Sequence, residues 1–303
     1  AWELSEIDVA DFSECVQRTW EYCYDTYRPQ SFNASYTADR MKEVLSNFFV
    51  DSYVDSTPTH YYSGVGLKTL TCDKTDVAEV GFLGRTLLNA FNALEYGSLQ
   101  NRSELVKDAN NIFETYLSHG FSPAGFFNEV VRFHRDSKES NFSIRRQSEG
   151  VYAILSYLDY EKKHKRKHVE WEKRLKVILD NFLRIQKADG SFPRKFKDDF
   201  SIVDSTGGST PSVTLPLVMA YKYFNDKRYL ESAKRSANYL ENEIISKSDY
   251  FSSTLDANCE DKEASLYAAT ATYYLALVTK GSERLHYAEL CKKAAYFALS
   301  WYY

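Results

Sequence analysis

The chain has 303 residues with 12 glycines, 6 prolines and a formal net charge of −4. Scarce glycine and proline argue against an all-β fold, which needs many tight turns. No basic stripe with interleaved aromatic residues indicates a nucleic-acid partner, and no run of about 20 apolar residues predicts a membrane span. The composition therefore predicts a mainly helical protein with neither nucleic acid nor a membrane span among its partners.

Five cysteines are scattered irregularly along the sequence: Cys15, Cys23, Cys72, Cys259 and Cys291. Their odd number and uneven spacing predict free thiols, most of them buried, rather than a disulfide framework. The sequence begins at Ala1 without a signal peptide and stops inside a predicted helix at Tyr303, which is typical of a piece of a longer protein. The compartment stays open between extracellular, periplasmic and cytoplasmic.

Two amphipathic helices are predicted near the N-terminus. Apolar residues recur every three or four positions over residues 4–27, up to the Arg28-Pro29 stop signal. A second helix is expected over residues 38–49. Residues 51–75 lose this period and are expected to form a long loop with a short hairpin. Long loops in compact domains are often binding elements.

From residue 76 onward, nearly all-apolar helices alternate with amphipathic ones. The apolar helices are expected over 76–97, 145–164, 210–225 and 261–281, and the amphipathic ones over 103–120, 169–186, 227–245 and 283–303. An apolar helix has to be covered on all sides, whereas an amphipathic helix hides one face. The alternation therefore predicts an all-α fold, an α/α toroid of helix hairpins in incomplete or complete six-hairpin form, as one domain over residues 1–303. An α-solenoid with an open concave surface is the alternative.

Ionisable residues cluster directly before the last apolar helix. Eight positions hold five of them: Asp256, Cys259, Glu260, Asp261 and Glu263. In a toroid, the loops 121–144, 187–209 and 247–260 fall on one face. Carboxylates at the start of a buried helix would then lie at the edge of a cavity, against the positive end of the helix dipole. The alternative is that Asp256 and Asp261 only cap the helix, with Glu263 in its first turn.

Three segments carry a resemblance to a known superfamily: IQKADGSFP over residues 185–193, EVGFLGR over 79–85 and LDANCEDKEA over 255–264. With the hairpin pattern they resemble the six-hairpin glycosidase-like proteins, the (α/α)6 toroid superfamily of bacterial carbohydrate-active enzymes. The Asp-Gly-Ser-aromatic turn also recurs in terpene cyclases and prenyltransferase β subunits. The sequence lacks the DxDD motif of the first and the glycine-rich repeats of the second, although Asp256, Cys259 and His286 are zinc-ligand types.

The resemblance implies an enzyme acting on glycosides, with its site at the N-terminal ends of the inner helices. Glycoside hydrolysis needs one carboxylic acid to protonate the leaving oxygen and one carboxylate to activate water or attack the sugar. The preferred pair is Glu149 with Asp261, and Glu263 is the substitute for Asp261. The alternative role of Glu149 is a structural salt bridge to a neighbouring arginine. Other acids are expected at the same face: Asp76, Glu79, Asp204 and Glu260.

The 24 tyrosines, 19 phenylalanines and 4 tryptophans suit a glycan-binding protein, because sugar rings stack their C–H faces on aromatic surfaces. The loop aromatics predicted as subsite walls are Tyr61, Tyr62, Phe126, Phe127 and Phe192. The polar residues predicted to contact substrate are Arg146, Asp204 and Asp256. The expected partner is an oligosaccharide or polysaccharide, no cofactor or metal is predicted, and the oligomeric state stays open.

Two other functions remain as alternatives at this point. A polysaccharide lyase acting on uronates would need a Tyr or His base and cationic or amide groups beside the uronate carboxylate. The candidates for those roles are His60, Tyr61, His134, Arg135, Arg145 and Arg146. A non-catalytic glycan-binding or scaffold toroid would keep the groove without an acid pair. No phosphate-binding glycine loop, nucleophile elbow or HExxH motif supports a kinase, serine hydrolase or zinc protease.

Overall fold

A computed structural model describes residues 8–31, 34–56, 59–63, 68, 70–75, 77–82, 85–132, 141–251 and 259–302. Within these residues the helices are α1 (Phe12–Tyr27), α2 (Ala38–Ser52), α3 (Thr86–Gln100), α4 (Ser103–His119), α5 (Ile144–Lys163), α6 (Val169–Ile185), α7 (Thr210–Phe224), α8 (Lys227–Tyr239), α9 (Lys262–Val278) and α10 (Gly281–Leu299). A π-helical segment, Leu240–Ile245, continues α8. None of the helices in this described part is both long and apolar enough to cross a bilayer.

Four helix hairpins follow one another around an arc. Helices α3, α5, α7 and α9 each pack against the next and form the inner layer. Helices α4, α6, α8 and α10 follow them in the chain and cover them from outside, while α1 packs on α10 and α2 on α3 and α4. The predicted all-α toroid of helix hairpins is confirmed, because the apolar helices lie inside and the amphipathic ones outside.

The last inner helix, α9, is less buried than its apolar sequence predicts. Leu266, Tyr273 and Leu277 are 42%, 51% and 50% exposed. Helices α7 and α10 cover two sides of α9, but α9 stands at the end of the arc. The prediction that this helix is covered all round is therefore wrong for one of its faces.

Short strands gather around the N-terminal ends of the inner helices. Strand β3 (Val77–Glu79) precedes α3 and pairs with β4 (Val130–Arg132). Strand β5 (Phe142–Ser143) leads directly into α5 and pairs with β6 (Lys195–Phe196), which pairs with β7 (Ile202–Asp204) in the connection to α7. The loops between hairpins therefore meet at one end of the arc, as predicted.

The hairpin expected within residues 51–75 is also present. It consists of β1 (Tyr53–Ser56) and β2 (Thr59–Tyr62), which pair antiparallel. Strand β2 lies against α4, so the long irregular segment starts by folding onto the helical layer.

The first inner helix begins later than its sequence predicts, at Thr86 rather than at residue 76. Strand β3 takes up the first part of the expected helix. Phe82 and Arg85 then adopt φ angles of 60° and 41°, in the left-handed region that a right-handed helix cannot contain. The predicted helical start is wrong, and the segment before Thr86 crosses the N-terminal face as strand and loop.

All five cysteines are free thiols. The prediction that most of them are buried is wrong, because Cys15, Cys72 and Cys259 are exposed and the other two are partly exposed. Three of the five lie on the peripheral helices α1 and α10 and two lie in connecting segments, which are the parts of the fold that solvent reaches.

The Asp-Gly-Ser turn ties α6 to α8. Gln186 donates from Nε2 to the carbonyl oxygens of Gly190 and Ser232, both at 3.0 Å. Gly190 has a φ of 88°, and a Cβ atom there would lie 2.2 Å from the carbonyl oxygen of Arg235. Glycine is therefore required twice over, by the backbone conformation and by the close approach of α8.

The first prediction concerns this turn. We expect Gly190→Ala to lower the free energy of unfolding by about 2–4 kcal/mol, because left-handed strain and a backbone collision add together. Gly281→Ala is the matched control, since Gly281 also has a positive φ, 58°, but has no atom within 4 Å of an added Cβ. Urea unfolding followed by circular dichroism gives both values, and equal losses in the two variants would contradict the role assigned to the Arg235 contact.

Candidate functional site

A cavity of about 240 Å³ lies inside the arc, close to the N-terminal ends of the inner helices. All four inner helices reach it: Arg85 lies just before α3, Glu149 is on α5, Ser212 on α7 and Tyr267 on α9. The volume is below the range of about 300–1,000 Å³ typical of drug-sized ligands. We call this space the central cavity.

The Glu149 carboxylate is the acidic group at the wall of the central cavity. Its Oε1 accepts from the Tyr267 hydroxyl at 2.5 Å, from Arg145 Nε at 3.2 Å and from Arg85 Nη2 at 3.4 Å. Its Oε2 accepts from the backbone N–H of Phe82. Only 9% of the side chain is exposed. Four donors, two of them cationic, are the partners that an ionised carboxylate matches.

One buried guanidinium joins this carboxylate to α9. Arg145 has 1% of its side chain exposed and binds Glu149 through Nε and Glu263 through Nη2. Its Cζ lies 5.3 Å from the ring centroid of Phe82 and 5.5 Å from that of Tyr267. Burial disfavours the charged form of Arg145, but nearby Tyr267, Glu149 and Glu263 outweigh that effect and raise its pKa. Arg145 therefore stays cationic between two carboxylates of different helices.

The loop before α3 completes the wall by close backbone approach. A Cβ atom on Gly81 would lie 2.8 Å from Glu149 Oε2 and 2.9 Å from the Cα of Arg146. The left-handed backbone of Phe82 follows immediately. A backbone held in this sparsely populated conformation beside a buried carboxylate is typical of functional sites.

The predicted acids at the start of α9 lie around Arg145. Asp261 is the N-cap residue, and its side chain accepts from the Glu263 N–H at 2.8 Å. The capping interpretation thus holds for Asp261, yet its Oδ2 is buried and has no hydrogen-bond partner among the described residues. Burial raises the pKa of Asp261. The Glu263 side chain is 44% exposed, so it is open to solvent as well as bound to Arg145.

The other predicted polar residues are less central. Arg146 Nη1 lies 4.0 Å from Glu129 Oε2, and its Cζ lies 5.5 Å from the Phe82 ring, at the edge of the site. Asp204 is held by Arg194 Nε at 2.7 Å. Although burial raises the pKa of Asp204, hydrogen bonds from Thr206 and Arg194 outweigh it and lower the pKa. This ion pair joins strands β6 and β7 rather than lining the central cavity.

Two further predicted acids, Glu79 and Glu260, lie on the N-terminal face. Glu79 ends strand β3, and its Oε2 is buried with no hydrogen-bond partner in the described part of the chain. Burial, followed by the charge of Asp249, raises the pKa of Glu260. The predicted Asp76 and Asp256 lie outside the described residues.

The aromatic residues predicted as subsite walls are core residues. Tyr61, Phe126, Phe127 and Phe192 are fully buried and Tyr62 is 7% exposed. The Tyr61 hydroxyl donates to the carbonyl of Thr75 at 2.6 Å, and Tyr62 stacks on Phe49. These loops fold back onto the helical layer, so their rings fill the interior. The placement does not favour a role in contacting substrate.

The described histidines predicted for lyase or zinc chemistry, His60 and His286, do not line the central cavity. His60 binds Asp55 at 2.7 Å and stacks on Tyr53, while His134 and Arg135 lie outside the described residues. His286 binds Glu241 at 2.9 Å. In the ranges that the structure describes, no three His, Cys, Asp or Glu residues cluster as a metal site would require.

Sequence reasoning missed three residues of the site: Phe82, Arg85 and Tyr267. The first two were assigned to a helix that does not exist there. Tyr267 was interpreted as one of many apolar-helix aromatics. The usable signal was its position four residues after Glu263, which places both side chains on the same face of α9.

The arc of hairpins with a cavity at the inner-helix N-termini places the chain among α/α toroid proteins in fold. Its coordinates are similar to those of an unsaturated glucuronyl hydrolase from Bacillus sp. GL1, with a TM-score of 0.54, 13% identity, and coverage of 69% of this chain and 59% of that one. They are also similar to those of cellobiose 2-epimerase from Spirochaeta thermophila, with a TM-score of 0.60, 12% identity, and coverage of 85% of this chain and 70% of that one. A third similar structure is that of a family 76 glycoside hydrolase from a bovine Bacteroides thetaiotaomicron strain, with a TM-score of 0.61, 13% identity, and coverage of 86% of this chain and 56% of that one.

No protein-family model and no curated protein sequence matches the chain significantly. The chain spans between about half and three quarters of the lengths of these three structures. At identities of 12–13%, the structural similarity shows a shared fold, and the activities of those proteins are not thereby transferred.

The second prediction concerns the hydroxyl of Tyr267. We expect Tyr267→Phe to lower the free energy of unfolding by about 1.5–3 kcal/mol, because a buried hydrogen bond to a charged group is lost. Tyr273→Phe, on the exposed face of the same helix, is the matched control and should change stability by less than about 0.5 kcal/mol. Urea denaturation measures both. Indistinguishable values would show that the Tyr267–Glu149 contact contributes nothing to the folded state.

Proposed function

We propose that this protein is a carbohydrate-active enzyme, a glycoside hydrolase that uses Glu149 and Asp261 as its carboxylate pair. The observation that carries this proposal is the arrangement around Arg145, which links a buried carboxylate on the central cavity to the acidic start of α9. Acids from α5 and from the start of α9 are thereby held around one guanidinium, with Glu149 at the cavity wall. This is the arrangement that a two-carboxylate mechanism needs.

The environments of the two carboxyl groups suit different roles. Glu149 accepts from four donors and acts as the ionised group, which activates water or attacks the anomeric carbon. Burial raises the pKa of Asp261, so this group keeps a proton to higher pH and acts as general acid on the leaving oxygen. A pair of carboxyl groups in unlike surroundings, one acting as acid and the other as base or nucleophile, is the usual pattern in glycosidases.

Glu263 has a supporting role in this scheme. It is bound to Arg145 and partly open to solvent, so it can accept from a sugar hydroxyl while Arg145 cancels its repulsion with Glu149. If Asp261 acts only as a cap, Glu263 is the second carboxylate of the pair. The two assignments differ in which variant abolishes turnover.

Similar folds in the comparison support the class of substrate. The unsaturated glucuronyl hydrolase, the family 76 glycoside hydrolase and the cellobiose 2-epimerase all act on carbohydrates. The central cavity of about 240 Å³ suits one sugar ring of such a substrate better than a long chain.

The lyase alternative fits the site less well. A lyase of this kind needs a tyrosine or histidine that accepts a proton. Tyr267 is the tyrosine that touches the cavity acids, but burial and then the neighbouring Glu149 charge raise its pKa. Its hydroxyl therefore keeps its proton and donates a hydrogen bond to Glu149, which is the opposite of the role a lyase base needs.

A non-catalytic glycan-binding toroid is the second candidate. It is favoured by one observation, that both oxygens of Glu149 already accept hydrogen bonds. In that case Glu149 serves to hold α3, α5 and α9 together, and sugars bind without turnover.

The third prediction separates these candidates. We expect Glu149→Gln and Asp261→Asn each to reduce kcat on a glycoside panel by about 10²- to 10⁴-fold, the range for removal of a general acid or base. Asp204→Asn is the control, because its ion pair lies away from the cavity, and it should stay within about threefold of the parent. Near-parent rates for Glu149→Gln and Asp261→Asn would remove the hydrolase assignment, and loss of rate in Glu263→Gln instead of Asp261→Asn would move the acid to Glu263.

The fourth prediction is the pH profile. A general acid must be protonated, so kcat/KM is expected to fall as pH rises through the raised pKa of Asp261, at a pH above the ordinary aspartate value of about 3.9. Asp261→Glu should retain this limb with a shifted midpoint, and Asp261→Asn should abolish it together with the rate. A rate that is constant or increases from pH 4 to 8 would contradict the assignment of Asp261 as acid.

A further inference from the structure

A second and larger cavity lies at the opposite end of the inner helices. It has a volume of about 880 Å³, compared with about 240 Å³ for the central cavity. Each inner helix contributes to both spaces with residues three or four positions apart: Leu88 and Phe91, Tyr152 and Ser156, Pro216 and Met219, Thr270 and Tyr274. The two spaces thus lie about one helical turn, roughly 5.4 Å, apart along the same helices. We call the larger one the C-terminal chamber.

Each inner helix places one aromatic ring on the C-terminal chamber. The rings are Phe91 on α3, Tyr160 on α5, Tyr223 on α7 and Tyr274 on α9. All four are partly buried and pack against the core. Among these four described residues, Phe91 and Tyr160 alone are in ring contact, at 6.1 Å between centroids. Rings that only filled a core would close the space between them, whereas these leave a chamber.

Three lysines and two acids line the C-terminal chamber. Lys163 is bound to Asp159 at 2.7 Å, and the ammonium of Lys162 lies 4.8 Å from the Tyr223 ring centroid. Lys222 and Glu95 also line the chamber, and neither forms a hydrogen bond or ion pair within the described ranges. Because Asp159 and Glu95 line the chamber together with the lysines, no single sign of charge dominates there.

We propose that the C-terminal chamber is a second saccharide-binding site, for neutral oligosaccharides, separate from the acid pair. Aromatic rings offer flat apolar faces to sugar C–H groups, and Lys222 and Glu95 offer one donor and one acceptor to hydroxyls, which both donate and accept. The mixed charges favour neither an anion nor a cation. The volume lies at the upper end of the range for small-ligand sites, so it accommodates more than one ring. The choice of saccharide as ligand rests on the proposed function.

The fifth prediction tests the chamber in the full chain. Isothermal titration with cellotriose, mannotriose and xylotriose is carried out on Glu149→Gln, in which turnover is blocked. We expect at least one of these probes to bind two equivalents. Adding Tyr274→Ala should weaken one of the two binding events about tenfold, a loss of about 1.4 kcal/mol. Tyr273→Ala is the matched control, since Tyr273 is the neighbouring tyrosine on the exposed face.

Lys222→Ala is the second chamber variant, because Lys222 is exposed and its truncation does not disturb the core. In the Glu149→Gln background, it should weaken the same binding event as Tyr274→Ala. In the chain that retains Glu149, Lys222→Ala should leave glycoside turnover unchanged. A single equivalent that neither chamber variant affects, or no binding of any probe, would overturn the chamber proposal.

The outcomes also separate this proposal from the proposed hydrolase. If the protein turns over a glycoside but binds a single equivalent of saccharide that the chamber variants do not weaken, the hydrolase proposal is supported and the chamber proposal is rejected. If both chamber variants weaken binding but the chain that retains Glu149 turns over no glycoside, the chamber proposal is supported and the hydrolase proposal is rejected.

Discussion

The structure of the candidate site depends on one buried charge, the guanidinium of Arg145. A buried cation without partners would be strongly destabilising, so the fold has to supply compensating groups. It does so from three directions, with Glu149 on its own helix, Glu263 on α9 and the rings of Phe82 and Tyr267 on either side. Two inner helices and the loop before α3 are thereby fixed relative to one another, and the shape of the central cavity follows from that constraint.

The loop before α3 shows what this constraint requires of the backbone. The chain must pass close enough to Glu149 for the Phe82 N–H to reach its carboxylate, and at Gly81 there is no room for a side chain. A second glycine, Gly150, lets α5 approach the Phe127 ring, which a Cβ atom would meet at 2.8 Å. The close approaches at Gly81 and Gly150 therefore pack the core aromatics of the loops directly against the helix that carries Glu149. A wall of this kind is preorganised, because its groups are already held in place without ligand.

Much of the fold could be predicted from sequence, because inner and outer helices differ in pattern over long segments. Helix α6 carries apolar residues on one face, whereas α7 is apolar almost throughout, and both were predicted within a residue or two of their bounds. The start of α3 could not be predicted in the same way, since strand β3 depends on pairing with β4, about fifty residues further along the chain. Glu149 could be selected as an acid at a helix start, but its partners could not. Tyr267 reaches it from α9 and Arg85 from the loop before α3, and a local pattern contains no information on such distant contacts.

Some of the charged residues at the ends of the inner helices complement the helix dipoles. Lys162, Lys163 and Lys222 lie in the last turns of α5 and α7, where cations stabilise the negative end of the dipole. At the opposite end, Asp261 and Glu263 lie at the start of α9, where the dipole favours a carboxylate. For Asp261 this creates a conflict, because the N-terminus of α9 and Arg145 favour the charged form while burial favours the neutral form, and the net shift of the pKa is upward. Desolvation therefore outweighs both the dipole and the neighbouring cation. The proposed acid role of Asp261 therefore depends on the packing that buries the start of α9, next to the Arg145 ion pairs that fix α9 to α5.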